Sequence, residues 1–321
     1  MKKNYKLSFL RRLAKYGHPF IKGVEKRKIE KYARLGEKNS LVFIVGAPRT
    51  GSTILYQLLT HYLDVLYINN FAGLFYQDLF SGVWLSRKFL RDKPHNCFDS
   101  FQGDTYQCGL KGPAECGDFW YRWLPRDRHY IGKDEVEERK REEIGKTLFA
   151  IINRWDKPFL IKNLNAGQRM GLFTQITPNA KFIFIRRNPL YAAQSIWLSK
   201  KKIGLEPHQW WSIMPKNYHD LVKLPAHRQI VRQIFFLEKQ ILDDRRYYPA
   251  ENFITVEYEE LCRHPLETVE TLQQFIGPGV KAKEGAEIPN LDFNETQKIN
   301  EKDFLLLKKE VNRLDWENYQ L

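Results

Sequence analysis

At residues 41–54 the chain reads Leu41-Val42-Phe43-Ile44-Val45-Gly46-Ala47-Pro48-Arg49-Thr50-Gly51-Ser52-Thr53-Ile54. The apolar run 41–45 predicts a buried β-strand, and the small residues after it predict a loop. Apolar side chains then recur with helical spacing as far as Tyr62. Backbone N–H groups at the start of such a helix, together with the helix dipole, favour an anion in the loop. We therefore predict a strand–loop–helix unit that holds an anionic group.

The loop nearly matches the phosphate loop of nucleotide triphosphatases, in which two spaced glycines precede a Lys and then a Ser or Thr. Gly46 and Gly51 have the required spacing, but Ser52 occupies the lysine position. The chain thus lacks the lysine that reaches the β- and γ-phosphates. Arg49 places a cation inside the loop instead. We interpret the loop as a cradle for one terminal phosphate or phosphosulfate, held by hydroxyl groups and a guanidinium.

The rest of the chain continues the alternation of strands and helices. Later apolar runs predict strands at 159–161, 181–185 and 253–256. Helix-period patterns predict helices at 144–152, 170–176, 189–197, 200–250, 265–275 and 301–313. This order is typical of a parallel sheet covered by helices on both faces. We predict an α/β fold similar to that of the phosphate-loop proteins, with one domain over residues 41–321.

The composition is that of a soluble globular protein, with 43% hydrophobic and 28% charged residues. The sequence has no run of about 18 apolar residues, and its basic N-terminus is followed by no apolar core. We therefore expect a cytoplasmic protein without a membrane span or secretory signal.

The four cysteines are not spaced like zinc ligands, and the sequence indicates no metal site. They are Cys97, Cys108, Cys116 and Cys262. Reduced thiols are expected in the cytoplasm, and a bridge between Cys108 and Cys116 is the alternative.

The positive charge is concentrated in an N-terminal arm, residues 1–40. The arm carries 13 of the 52 Lys and Arg residues and 3 of the 38 Asp and Glu residues, so it contributes +10 of the net charge of +14. Its apolar residues have roughly helical spacing, which predicts a basic helix that either packs on the body or lies on an anionic membrane surface. These apolar residues are Phe9, Leu10, Leu13, Tyr16 and Phe20. Because the remaining charge is nearly balanced, nucleic-acid binding is not expected.

Residues 65–130 are rich in aromatic residues and glycine and show no long helix-period pattern. An insertion of this kind between sheet strands is where an α/β enzyme places the wall of its acceptor site. Aromatic faces suit sugar rings and other amphipathic acceptors, although a packed aromatic core would give the same pattern. We predict that this segment forms the acceptor side of the site.

The loop at 46–53 resembles the 5′-phosphosulfate loop of the sulfotransferases, which use 3′-phosphoadenosine 5′-phosphosulfate (PAPS). Arg187 and Ser195, after the strand at 181–185, resemble the family's 3′-phosphate site in both order and spacing. Tyr258 matches a family tyrosine that lies near the nucleotide. The resemblance covers roughly residues 40–277. It implies a PAPS-dependent sulfotransferase that acts on a hydroxyl of a carbohydrate or other small molecule.

On this resemblance PAPS is held by the loop and by the second phosphate site. The cofactor-binding residues are then Arg49, Thr50, Gly51, Ser52, Thr53, Arg187, Ser195 and Tyr258. Arg49 and Lys162 would supply the positive charge that sulfuryl transfer needs on the equatorial and bridging oxygens. The scheme requires no metal.

The chain departs from the cytosolic members of the family at the catalytic base. Their strand ends Lys-Thr-His, whereas this one ends Lys162-Asn163-Leu164, and a leucine cannot accept a proton. In this respect the chain resembles the branches of the family that use a carboxylate as the base. We select Glu115 as the general base, because it stands among small and aromatic residues with few neighbouring charges. A structural carboxylate that caps a helix or pairs with Arg122 is the alternative.

Other assignments stay open at this stage. Asp118, His95 and His129 are weaker candidates for the base. A phosphate-loop kinase is disfavoured by Ser52 and by the second anion site. A non-catalytic nucleotide-binding protein at a membrane surface is also conceivable, since the family histidine is absent, although Arg49 and Lys162 argue against it.

Overall fold

A computed structural model describes residues 5–36, 38–91, 93–293 and 295–320, with the backbone alone at residues 5–11, 13 and 15. Five strands form one parallel sheet in the order β2-β3-β1-β4-β5. They are β1 (Leu41–Val45), β2 (Leu66–Tyr67), β3 (Phe159–Lys162), β4 (Lys181–Arg186) and β5 (Phe253–Glu257). The predicted α/β class is confirmed.

Helices join the strands and cover both faces of the sheet. They are α1 (Tyr5–Ala33), α2 (Ser52–Tyr62), α3 (Asn70–Gly73), α4 (Leu79–Leu90), α5 (Gly117–Trp120), α6 (Glu138–Trp155), α7 (Met170–Phe173), α8 (Pro189–Lys202), α9 (Tyr218–Leu221), α10 (Ala226–Arg245), α11 (Tyr258–Arg263), α12 (Pro265–Ile276) and α13 (Glu301–Val311). Short 3₁₀ turns lie at Tyr76–Asp78, Tyr106–Lys111, Leu164–Gln168 and Ala250–Asn252. None of the helices in the described part of the chain is long and apolar enough to cross a membrane.

The central strand β1 is buried on both faces, and its alternating side chains enter two separate cores. Phe43 faces one core, where its ring stacks on Phe173 at 4.5 Å and on Phe182 at 5.6 Å between centroids. Ile44 faces the other core, with residues of α2 and α12. Burial of each such side chain contributes about 1.5–3 kcal/mol, so the central strand fixes the position of the loop that follows it.

Three expectations about regular structure hold only in part. Residues 65–130 contain a twelve-residue helix, α4, although the sequence shows no clear helical period there. Residues 203–217 are irregular rather than helical, because Gly204, Pro207 and Pro215 interrupt the apolar pattern. The helix expected after β3 is reduced to a 3₁₀ turn and the single turn α7.

The cysteine prediction also needs correction. Cys97 and Cys108 form a disulfide with a Cα–Cα distance of 5.5 Å, and Cys116 is a free thiol. The alternative pair, Cys108 with Cys116, is therefore wrong, and so is the expectation of reduced thiols at Cys97 and Cys108. The bond closes the loop 97–108, which lies beside the candidate site. Because disulfides are rare in cytosolic proteins, cysteine usage does not support the cytoplasmic location, which stays a prediction.

Helix α1 (Tyr5–Ala33) forms most of the described part of the N-terminal arm and packs against the body. Asn153 of α6 donates to the carbonyl of Tyr32 at 2.9 Å, and the Tyr32 ring stacks on Phe80 of α4. The predicted contribution of Phe9, Leu10 and Leu13 lies outside the described side chains. Tyr16 and Phe20 are exposed.

Candidate active site

The residues singled out from the sequence meet at the carboxyl edge of the sheet, where ligands bind in open α/β sheets. Arg49 follows β1, Lys162 ends β3, Arg187 follows β4 and Tyr258 follows β5. All four line one cavity of about 520 Å³. The sheet therefore brings together side chains that are far apart in the sequence.

Two glycines allow the loop after β1 to approach its neighbours closely. A Cβ atom on Gly46 would lie 2.5 Å from the carbonyl oxygen of Ile185 on β4. A Cβ atom on Gly51, whose φ is 91°, would lie 2.2 Å from the ring of Tyr258. Arg49 itself has a φ of 68°, a left-handed conformation that is uncommon for a residue other than glycine. Such strain is typical of functional loops.

Replacing Gly51 with alanine is expected to lower the free energy of unfolding more than the same change at Gly204. Both glycines have positive φ, which costs about 1–2 kcal/mol with a Cβ atom. Only Gly51 also meets the Tyr258 ring, and such overpacking adds about 1–3 kcal/mol. Denaturant unfolding of the two variants measures the difference, and equal losses would show that the contact with Tyr258 is not close.

The predicted site for the first anion lies at the start of α2. Its first-turn N–H groups, at Ser52, Thr53 and Ile54, precede the first bond of the helix, from Leu55 N–H to the Gly51 carbonyl. These groups have no acceptor within the helix, and all three residues line the cavity. We expected the Thr50 hydroxyl to bind the donor. It is instead buried and donates to the Ala47 carbonyl at 2.8 Å.

The residues predicted to bind the second anion, Arg187 and Ser195, lie at or next to the same cavity. The Arg49 Nε donates to the Ser195 hydroxyl at 3.0 Å, so Ser195 lies next to the loop although it does not line the cavity. The Arg187 guanidinium lies over the Tyr258 ring, 4.5 Å from its centroid. The Nε of Arg187 is buried and has no hydrogen-bond partner among the described residues. An unpartnered buried donor beside a cavity indicates an acceptor that the protein itself does not supply.

The two arginines also act on each other. Burial lowers the pKa of Arg49, and the charge of Arg187 lowers it further. Burial raises the pKa of the Tyr258 hydroxyl to about 12, so Tyr258 is neutral at physiological pH. Two guanidinium groups that repel each other at one cavity are stabilised when anionic groups bind beside them.

The third part of the site is an ion pair at the end of β3. Lys162 is only 2% exposed, and its Nζ donates to the Thr53 hydroxyl at 3.1 Å and to the Glu115 carboxylate. Glu115 thus pairs with Lys162 and not with Arg122, which was the alternative partner. Gly103 covers the pair closely, since a Cβ atom there would lie 3.1 Å from the Glu115 carboxylate. A cation and a candidate base are therefore held side by side at the cavity wall.

The other base candidates lie in less suitable positions. His95 does not line the cavity; its Nε2 shares a 2.9 Å hydrogen bond with Thr60, and burial lowers its pKa to about 4. Asp118 pairs with Arg126. His129 does line the cavity, but its Nδ1 accepts from the Met214 N–H at 2.9 Å, so the neutral ring carries its proton on Nε2.

Several residues of the cavity wall were not singled out individually from the sequence, although Gln102 and Gly103 lie within the segment 65–130 that was predicted as the acceptor side. Gln102 and Gly103 come from the disulfide-closed loop 97–108, and Trp211 comes from the irregular segment 203–217. The buried amide of Gln233 on α10 holds that segment by donating to the carbonyls of Trp211 and Ile213, both at 2.8 Å. The two prolines of 203–217 were the signal that could have identified this segment as a loop.

Arg169 positions part of this wall from beneath. Its side chain is 1% exposed, its Nε donates to the His129 carbonyl at 3.2 Å, and its guanidinium lies near the Tyr121 ring. Tyr121 in turn accepts from the Asn165 amide at 3.3 Å. His129 and Asn165 both line the cavity. Burial lowers the pKa of Arg169 to about 10.

Replacing Arg169 with leucine is expected to raise the KM for the acceptor about tenfold and to leave the affinity for the nucleotide donor within twofold. The change removes the support of His129 and Tyr121, whereas the two anion sites keep their residues. Loss of the hydrogen bond to the His129 carbonyl should cost about 1–3 kcal/mol of stability, so both measurements are made at a temperature at which the variant is folded. Steady-state kinetics and calorimetry separate the two effects, and a loss of donor affinity equal to the rise in KM would contradict this positioning role.

The comparison with known proteins agrees with this geometry. The model of the Sulfotransferase family matches residues 41–280. The chain belongs to the sulfotransferase family. The match extends from β1 through α12, so it includes the loop, the ion pair and the second anion site. No curated protein matches this sulfotransferase.

Solved sulfotransferases share the fold at low sequence identity. Sulfotransferase STF9 from Mycobacterium avium is 14% identical, with a TM-score of 0.50, over 92% of this chain and 72% of that chain. Sulfotransferase STF1 from Mycobacterium tuberculosis H37Rv is also 14% identical, with a TM-score of 0.46, over 83% and 72% of the two chains. The first likeness supports the fold of this sulfotransferase. Membership of the family supports sulfotransfer, and the described residues contain no group of metal-ligand side chains.

Proposed function

We propose that the chain transfers a sulfuryl group from PAPS to a hydroxyl of a carbohydrate or other small molecule. One observation carries this proposal: two cationic sites, at Arg49 and at Arg187, share a single cavity with the Lys162–Glu115 pair. A donor with one phosphate at each end of its nucleoside would use both arginines, one for each phosphate. A nucleoside triphosphate, whose phosphates form one chain, does not need the second site.

The residues fit the donor on three points. The N–H groups at the start of α2 and the Arg49 guanidinium would hold the 5′-phosphosulfate. Arg187, whose Nε has no partner among the described residues, and Ser195, whose hydroxyl accepts from Arg49, would hold the 3′-phosphate. The Tyr258 ring, which packs on Gly51 and beneath Arg187, would form one wall for the nucleotide. When bound, PAPS supplies the activated sulfuryl group.

The chemistry that remains for the protein is charge stabilisation and proton removal. The oxygen of the acceptor hydroxyl forms a bond to sulfur while the bond from sulfur to the phosphate oxygen breaks. Lys162 and Arg49 are placed to neutralise the charge that develops on the transferred group and the leaving oxygen. An ionised Glu115 has only acceptor oxygens, so it can take the proton of the hydroxyl. The role of Glu115 as the base is part of this proposal.

The position of the Lys162–Glu115 pair indicates where in the cavity the acceptor hydroxyl would bind. Gly103 lies beside this pair, and His129, Asn165 and Trp211 line the same cavity, so the wall offers polar groups together with one aromatic face. This mixture suits a hydroxylated, amphipathic small molecule or a sugar. We propose that residues 65–130, together with the segment 203–217, select the acceptor, within a catalytic domain over residues 41–321.

Transfer of labelled sulfate tests this function. The purified chain should move ³⁵S from PAPS to members of a panel of sugars and small alcohols in buffer with a metal chelator. The Arg49→Ala variant should lose this transfer, while Arg139→Ala, on the exposed face of α6, should retain it. Binding of the nucleotide without transfer to any acceptor would favour a non-catalytic binding protein. Mg²⁺-dependent transfer of phosphate from ATP would favour a kinase.

A further inference from the structure

The outer face of α1 exposes large apolar side chains. Tyr16, Phe20 and Val24 follow one another at intervals of four residues, so they lie on one face of the helix. Their exposed fractions are 74%, 85% and 56%. A helix at the surface of a globular protein normally presents its apolar stripe to the core. Here an apolar stripe faces solvent.

The opposite face of α1 is anchored to the body, so the exposure of the stripe does not result from a detached helix. Glu25 accepts from the backbone N–H groups of Phe80 and Ser81, at 3.1 and 2.8 Å, at the start of α4. His18 contacts Asp78, with 2.7 Å between Nδ1 and Oδ2. These contacts hold α1 in one orientation and direct the stripe outward.

The charge around the stripe identifies its partner. Helix α1 contains nine Lys and Arg residues and two glutamates, of which Glu25 is buried under the helix. Arg12, Arg27 and Lys31 are exposed on the same side as the stripe. Two copies of this face would bring like charges together, which disfavours self-association. An anionic lipid surface offers both an apolar layer and negative charge.

We propose that the outer face of α1 docks the protein on an anionic membrane surface. Tyr16, Phe20 and Val24 enter the boundary between headgroups and acyl chains, and the flanking cations contact lipid phosphates and carboxylates. The helix lies in the plane of the surface and does not cross it, because the described part of α1 has no stretch that is both long and apolar enough to span a bilayer. This inference is independent of the proposed reaction, because no residue of the stripe lines the cavity.

Vesicle co-sedimentation tests this docking surface. The protein should bind vesicles that contain about 30% phosphatidylserine at low salt, and binding should weaken as added salt screens the charges. It should bind pure phosphatidylcholine vesicles at least about tenfold more weakly. The triple variant Tyr16→Ser, Phe20→Ser and Val24→Ser should lose at least about tenfold in affinity for the anionic vesicles. The control Leu266→Ser with Leu305→Ser, which changes exposed apolar residues of α12 and α13, should bind as the unmodified protein does.

Three results would overturn the proposal. The first is no binding to anionic vesicles, and the second is equal binding by the triple variant and the unmodified protein. The third is a dimer in analytical ultracentrifugation that the triple variant abolishes, which would make a second copy the occupant of this face. Because the three side chains are exposed, the triple variant should keep its melting temperature, which shows that it is folded.

Discussion

Replacing Glu115 with glutamine is expected to lower kcat by about 10²–10⁴-fold, the range typical for loss of a general base. Glutamine has nearly the same shape as glutamate and can still accept a hydrogen bond from Lys162, but it cannot take the proton of the acceptor hydroxyl. Affinity for the nucleotide should stay within about twofold, because Glu115 belongs to neither anion site.

A neighbouring carboxylate provides the control for this measurement. Asp118 lies three residues further on and pairs with Arg126, so Asp118→Asn should keep kcat near that of the unmodified enzyme. Near-normal kcat in Glu115→Gln would remove Glu115 from the mechanism and leave the two anion sites unaffected.

Replacing Lys162 with methionine is expected to lower kcat by about 10²–10³-fold, as loss of one group that stabilises transition-state charge does. Methionine fills a similar volume, so the buried end of β3 should stay packed. Lys162 contacts both Thr53 of the loop and the Glu115 carboxylate, and each contact depends on its charge. Affinity for the desulfonated nucleotide should fall much less than kcat, since the developing charge is absent from that ligand.

The combination of both changes distinguishes a shared role from two separate ones. If Lys162 and Glu115 act as a unit, the double variant Glu115→Gln with Lys162→Met should lose little more activity than the worse single variant. A loss of activity in the double variant equal to the product of the two single losses would indicate independent roles. Single-turnover measurements give these values without interference from product release.

Much of the fold could be predicted from the sequence because its signals are local. The runs at 41–45, 159–161, 181–185 and 253–256 are short, apolar and bounded by turns, and each became a strand. Strand β2 has only two residues, Leu66 and Tyr67, which is too short for a periodicity to show. Helix α4 was missed because its apolar residues are split between contacts with the core and exposed positions such as Trp84 and Phe89.

The candidate site was predictable where its residues follow strands, because parallel strands end at the same edge. Arg49, Lys162, Arg187 and Tyr258 could be placed together in this way. The remaining wall depends on long-range contacts that no local pattern records. The Cys97–Cys108 bond and the contacts of Gln233 with the segment 203–217 determine which loop residues reach the cavity.

The proposed roles of individual side chains remain predictions. Thr50 illustrates why a motif does not determine a contact, since its hydroxyl is occupied by the Ala47 carbonyl inside the loop. Glu115 illustrates the opposite case, because a residue chosen for its surroundings in the sequence lies beside the predicted cation Lys162. The two residues are 47 positions apart in the sequence, so no local pattern indicates their contact.

Calorimetry with two nucleotides tests the central claim, which is that one cavity contains two separate phosphate sites. Adenosine 3′,5′-bisphosphate should bind the unmodified protein at least about tenfold more tightly than adenosine 5′-monophosphate, because the second phosphate adds charge-assisted hydrogen bonds worth about 1.5–3 kcal/mol. Arg187→Ala should abolish this preference. Arg49→Ala should weaken the binding of both nucleotides and preserve the preference. Equal affinity of the unmodified protein for the two nucleotides, or a preference that survives in Arg187→Ala, would contradict the claim.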